Sequence, residues 1–177
     1  MLVVEDIQLQ DSGAFPNSAF PALAYRAALA PSGDRSTASA FESLFSRHGW
    51  LSAWRDTIYA GHHFHSTAHE CLGIASGSVR VQLGGPQGQT LELDAGDVLV
   101  IPAGVAHCRL AATADLLVVG AYPPGQSPDL LHGQAEERPH ADVRIALLVI
   151  PATDPVEGAG GTLPRRWQAT FNKAPPC

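Results

Sequence analysis

Four of the eight histidines in this 177-residue chain fall between positions 62 and 69, and Glu70 follows them directly. Imidazole nitrogens and carboxylate oxygens are the donors that first-row divalent metals take when no thiolate is offered, so their crowding into one segment points to metal ligation. Side chains of an extended chain alternate faces, which puts His63 and His65 on one side and His62 and Phe64 on the other. A turn at Ser66-Thr67 would return Glu70 to the same side, at the head of a strand whose Leu72 and Ile74 share its parity. His107 stands just after Pro102-Ala103-Gly104, a turn that can aim a side chain rigidly into the mouth of a barrel. Three imidazoles and one carboxylate leave coordination positions open for substrate, water or O₂. The expected ligands are therefore His63, His65, Glu70 and His107, around one divalent transition metal (Fe, Mn, Ni or Zn) that the donor types do not select.

Arg55, Thr57 and Tyr59 share the odd parity of His63 and His65. If Trp50 to His65 is one strand, they line the same cavity: Tyr59 with a hydroxyl for catalysis, and Arg55 and Thr57 as substrate-pocket residues, Arg55 offering a fork to a carboxylate. Gly61 is where a bulge would reset that register. The same alternation turns His62 outward, gives His69 the wrong parity to join Glu70, and assigns both to surface or supporting roles. Cys71 and Cys108 each follow an expected ligand, should face away from it, and read as buried small hydrophobes.

The elements that must position these residues are short. A helix is expected over 39–48, where Ser39 and Glu42 have capping-box spacing, Phe41, Leu44, Phe45 and His48 recur at helical intervals, and Gly49 supplies the stop. Strands are expected at Glu70 to Ile74 and Val79 to Leu83 around Ser76-Gly77-Ser78, and at Thr90 to Leu93. Val98 to Ile101 and His107 to Leu110 read as a hairpin, Leu116 to Ala121 as a further strand and Val143 to Ile150 as the last. Between the last two, the acidic stretch from Asp129 to Asp142 reads as a solvated loop, and the tail from Lys173 onward as unstructured. Many short strands and one amino-terminal helix predict an all-β sandwich or barrel.

At this point the sequence resembles the cupin superfamily. The first cupin motif is matched by His63, His65, Glu70 and Gly77, and the second by Gly96, Pro102, Gly104 and His107. Thr57 stands where the first motif usually begins with Gly, and Ala111 where the second commonly ends in Asn; neither is a ligand position. More narrowly, HHFHSTAHECLG, VRVQLGGP, AGDVLVIPAGVAH and VVGAYPPGQ look like the bacterial YjlB-type cupins, over a span from about Phe41 to about Trp167. The resemblance implies a double-stranded β-helix, or jelly-roll barrel, over 39–150 with its preceding helix, an amino-terminal arm over 1–38 and a carboxy-terminal extension over 151–177. It implies a metal-binding protein that is an oxygenase, isomerase or similar enzyme acting on a small oxygen-bearing organic molecule, or else a non-catalytic binding or sensing protein that keeps the metal. It also implies pairing as a homodimer, for which the arm is the natural device.

Composition narrows the partners. With a net charge of −6 the chain has no basic field to neutralise phosphates, which argues against nucleic acid and anionic membrane. The apolar run at Met1 to Asp6 is too short for the core of a secretory leader and lacks the basic residues that precede one, and no later apolar run reaches membrane-spanning length, so a cytoplasmic protein is expected. Three cysteines without CxxC spacing suit neither a disulfide framework nor a zinc ribbon.

Overall fold

A computed structural model describes residues 2–173; the tail expected beyond Lys173 lies outside them. Nine strands form two antiparallel sheets. The larger has the order β1 (Val3–Ile7), β2 (Ala22–Arg26), β7 (Val98–Ile101), β4 (Glu70–Ser76), β9 (Leu117–Tyr122) and β3 (Leu51–Asp56). The smaller has the order β6 (Gln89–Asp94), β5 (Ser78–Leu83) and β8 (His107–Ala112). Helices α1 (Asp34–Arg47) and α3 (Thr162–Lys173) contribute to the core, α2 (His140–Leu147) packs near the amino-terminal loop, and two-residue strands β10 (Thr153–Asp154) and β11 (Gly158–Ala159) make a small ribbon before α3.

Alternation along β4 builds two cores from one strand. Leu72 and Ile74 join Val81, Leu93, Leu99 and Val118 in the inner core, while Cys71 and Ala75 join Phe41, Phe45, Trp50 and Trp167 in the outer core. A strand covered on both faces reads as a continuous apolar run, as β4 and β7 do. Each large side chain so enclosed contributes about 1.5–3 kcal/mol by leaving water. Gly73 belongs to the outer side because a Cβ there would stand 2.7 Å from the Phe41 ring, so its lack of a side chain lets α1 lie against β4.

Four sequence expectations are corrected. Helix α1 begins at Asp34, not at Ser39, with the Thr37 hydroxyl donating to Gly33 O at 2.8 Å; the Ser39 and Glu42 side chains instead receive Arg55. The strand expected through His65 stops at Asp56, and an irregular segment carries the histidines. β7 and β8 are not a hairpin: β7 pairs with β2 and β4, and β8 with β5, so the Pro102 turn carries the chain from one sheet to the other. Val143 to Ile150 is not a strand, because 140–147 forms α2, whose Ala141 and Ile145 pack against Phe15 and Phe64 at helical spacing. A short apolar run fits either period, and a helix satisfies its own backbone where no sheet edge is offered.

The terminal segments are built into the sheets and cores. β1 and β2 were not foreseen and extend the larger sheet. In α3, Leu163 and Trp167 are fully buried, and the Trp167 indole donates to Pro21 O at 3.0 Å.

Candidate metal centre

The irregular segment that carries the histidines is held from both sides. His63 and His107 exchange backbone hydrogen bonds of 3.2 and 2.9 Å, and Phe64 does the same with Leu131 at 2.9 and 3.0 Å. Gly104 N–H donates to His65 O at 2.8 Å, tying the turn before β8 to the same segment. A stretch outside the named strands is thereby held by two isolated bridges and a bond to the Pro102 turn.

Its side chains converge with the head of β4 and the head of β8. The ring centroids of His63 and His107 are 4.1 Å apart, and each of the two lies 5.5–5.6 Å from that of His65. Ligand nitrogens of His63, His65 and His107 all lie within 4.8 Å of one another. Glu70 Oε2 is 3.5 Å from His65 Nε2 and 3.3 Å from His107 Nε2. His63, Glu70 and His107 are all buried.

The tautomers follow from the partners of the other ring nitrogen. Nδ1 faces Gly61 O at 3.0 Å in His63, Val105 O at 3.1 Å in His107, and Asp129 O in His65. A carbonyl only accepts, so each Nδ1 carries the proton and each Nε2 presents a lone pair. Lone pairs and a carboxylate gathered in a buried site repel unless a cation lies among them. The three imidazoles and one carboxylate therefore suit a divalent metal, with the outer hydrogen bonds that metal-ligating histidines use.

Without a cation, a proton shared between Glu70 and its imidazole neighbours stands in for one. Burial raises the Glu70 carboxyl, yet the His107 and His65 imidazoles outweigh it and hold the group far below the usual carboxylate range. Burial, helped by His107 and His65, lowers His63 to about 4 and keeps that imidazole neutral at physiological pH. Burial also opposes protonation of His65, but Glu70 and the Asp129 carbonyl prevail and raise it.

Two supporting groups were not found in the sequence. Tyr122, at the end of β9, donates its hydroxyl to Glu70 Oε1 at 3.2 Å and accepts the Trp54 indole N–H at 2.8 Å. Asp129 accepts Ser66 N–H at 2.6 Å, Thr67 N–H at 3.3 Å and the Ser66 hydroxyl, so the acidic loop expected to be solvated is clamped to the histidine segment. Ser66 also receives Arg144 of α2 at 2.7 Å. These contacts span about sixty residues of sequence and carry no local signal.

The remaining expected residues divide between the cavity and its surroundings. Tyr59 is 59% exposed at the cavity rim, with its ring 5.1 Å from that of His63. Thr57 lines the cavity just past the end of β3. Arg55 lines it too, but its guanidinium does not wait for a substrate carboxylate: it binds Glu42 at 2.7 and 2.8 Å and Ser39 at 2.9 Å, because a strand ending at Asp56 on the sheet edge lies beside α1. His62 turns away from the three ligand candidates toward Cys108, 3.5 Å from its Sγ. His69 is buried rather than on the surface: its Nδ1 accepts Ala103 N–H at 2.9 Å and its ring lies 4.8 Å from that of Trp167. Cys71 and Cys108 are buried and free.

The family model described as "Cupin domain" matches residues 56–120, which contain all four candidate ligands. The protein YjlB of Bacillus subtilis (strain 168) is 36% identical over 158 residues, covering 89% of this chain and 92% of its own. The chain belongs to the cupins, of the YjlB type. Solved structures similar to this cupin include an acireductone dioxygenase from Bacillus anthracis with a cadmium ion in its active centre, 15% identical, covering 72% of this chain and 82% of the other at a TM-score of 0.40. RmlC from Streptococcus suis in complex with dTDP-D-xylose is 14% identical, covering 90% and 88%, at a TM-score of 0.39. Among the described residues of this cupin, no helix is long and apolar enough to cross a membrane.

Proposed function

We propose that this cupin is a metal-dependent enzyme, an oxygenase, isomerase or similar, acting on a small oxygen-bearing organic molecule at a centre formed by His63, His65, Glu70 and His107. The observation that carries the reading is the tautomer pattern: three Nδ1–H groups committed to backbone carbonyls, so that three Nε2 lone pairs meet a buried carboxylate. When bound, a divalent metal supplies Lewis acidity, and with iron or manganese also the means to engage O₂. The chain's own residues hold the imidazoles in one tautomer, keep Glu70 ionised and leave a cavity of about 340 Å³ against the ligand atoms. Tyr59, at the rim, is our candidate for moving a proton to or from substrate, with Thr57 in the pocket wall.

A non-catalytic binding or sensing role is the second reading, favoured by the exposure of Tyr59 and by the commitment of the Tyr122 hydroxyl to Glu70. We also propose a homodimer, supported by the position of β1 at the edge of the larger sheet, where its outer backbone groups can pair with a second copy. A cytoplasmic location accords with two buried free thiols.

Metal analysis of protein purified without an affinity tag, beside His63→Ala, tests the centre. Bound metal in the parent and its loss from a folded variant is the expected result; equal metal in both overturns the ligand set. Steady turnover or O₂ uptake by the loaded protein across a set of small hydroxy and keto compounds separates enzyme from sensor.

A further inference from the structure

The cavity beside the candidate centre has a chemical character of its own. Away from the candidate ligands, part of its wall is apolar: Ile58, Leu72, Pro128, Leu130 and the face of Trp54, whose one polar atom is already bound to Tyr122. At about 340 Å³ it sits at the small end of ligand pockets, which run from ~300 to ~1,000 Å³.

Its charges are one-sided. Asp56, Glu70 and Asp129 line it as acids, and Arg55 is the cation among the lining residues. That guanidinium is spent on both oxygens of Glu42 and on Ser39. Of the nearby arginines, Arg109 donates to Ile58 O, and Arg144 donates to Ser66 and stands 3.6 Å from Asp129, so that this acid is partly paired; neither arginine lines the cavity. Beyond the metal itself, a phosphate or a second carboxylate entering here would find no free guanidinium fork among the lining side chains.

From these walls and charges we propose, building on the enzyme reading above, that the substrate is a compact molecule with an apolar or aromatic body and one metal-seeking oxygen head, carrying at most a single negative charge. Phosphate esters and dicarboxylates, whose second charge finds no free cation in the lining, bind more weakly than such a molecule. Glu42 is the specificity-determining residue: by holding Arg55 against α1 it keeps the pocket without an anion fork.

The test loads the whole protein with Co²⁺ and follows the visible spectrum during titration. Benzohydroxamate and acetohydroxamate share a head and differ in the body; phenyl phosphate keeps the ring and carries a dianion. Benzohydroxamate should bind about tenfold or more tighter than either of the others. In Glu42→Gln, phenyl phosphate should gain about fivefold or more as Arg55 is released, with benzohydroxamate changed by less than about twofold. Phenyl phosphate binding as tightly as benzohydroxamate in the parent, no gain from the ring, or no response to Glu42→Gln overturns this inference while leaving the metal centre standing. Failure of Co²⁺ to produce a protein-bound spectrum overturns the enzyme reading and this inference with it.

Discussion

The Tyr122 hydroxyl donates to Glu70 Oε1 at 3.2 Å, which leaves Oε2 of the same carboxylate toward His65 and His107. One oxygen is thus held by the protein and the other faces the candidate metal position. Tyr122→Phe removes the donor from a buried, ionised group and lets the carboxylate rotate. Metal affinity should fall by about 10–100-fold, the usual effect of losing such an outer partner, with a stability loss of about 1–3 kcal/mol from the unpaired carboxylate and indole. Competition against a chromogenic chelator measures the affinity. Parent-like binding by a folded Tyr122→Phe protein would show that the hydroxyl has no part in holding Glu70.

Trp54 reaches Tyr122 only because its neighbour across the sheet has no side chain. Trp54 pairs with Gly120 in the β3–β9 register, and a Cβ on Gly120 would come within 2.1–2.5 Å of the indole. Gly120→Ala must therefore push the ring off β9 and break its bond to Tyr122. An overpacking cost of about 1–3 kcal/mol is expected, together with a weaker version of the Tyr122→Phe loss in metal affinity. Urea unfolding and the shift of tryptophan emission report the two effects. An unchanged unfolding midpoint would mean that the ring has room to move.

Acid should destabilise the metal-free protein well before its carboxylates titrate. Burial lowers His69 to about 4, so between the ordinary imidazole value near 6.5 and about 4 the unfolded chain binds a proton that the folded chain does not. The His69 contribution is full above pH ~6.5 and is lost as the pH drops, by ~3 kcal/mol over that window. His63, also lowered to about 4, acts in the same direction. Raised His65 acts in the opposite one, its contribution fading as the pH rises through its folded value. Denaturant unfolding from pH 7 to pH 4 should show the fall, and His69→Gln should flatten it; a parent curve level across that range would remove His69 from the account.

What the sequence made legible was governed by period and by residue type. His63, His65, Glu70 and His107 stood out because few contexts crowd imidazole and carboxylate together, and β4 to β6 stood out because Gly77 and the Gly84-Gly85 pair mark their turns. The faces of β4 followed from alternation alone, which correctly sent Cys71 to one core and Leu72 to the other. The pairing of β7 with β2 and β4, and of β8 with β5, was not legible, since a Pro-Gly turn looks alike whether the chain doubles back or crosses between sheets. Arg55 is a related case: parity placed it on the cavity, but only the position of α1 decides where its guanidinium ends. Tyr122 and Asp129 act over distances in sequence that no local pattern encodes.

The carboxy-terminal helix offers a test of how far the core extends beyond the barrel. Trp167 is fully buried, stacks on Phe20 at 5.1 Å, donates to Pro21 O and covers His69. Phe171, one turn further along the same helix, is 62% exposed. Trp167→Ala should cost about 3–5 kcal/mol, whereas Phe171→Ala should stay within about 0.5 kcal/mol. Because Trp167 helps to bury His69, the first variant should also bring that imidazole back toward its ordinary value and soften the acid limb of the stability curve, an effect the second variant should lack. Two separate unfolding steps in the parent, with Trp167 fluorescence reporting only the earlier, would show instead that α3 is a satellite whose loss leaves the sheets intact.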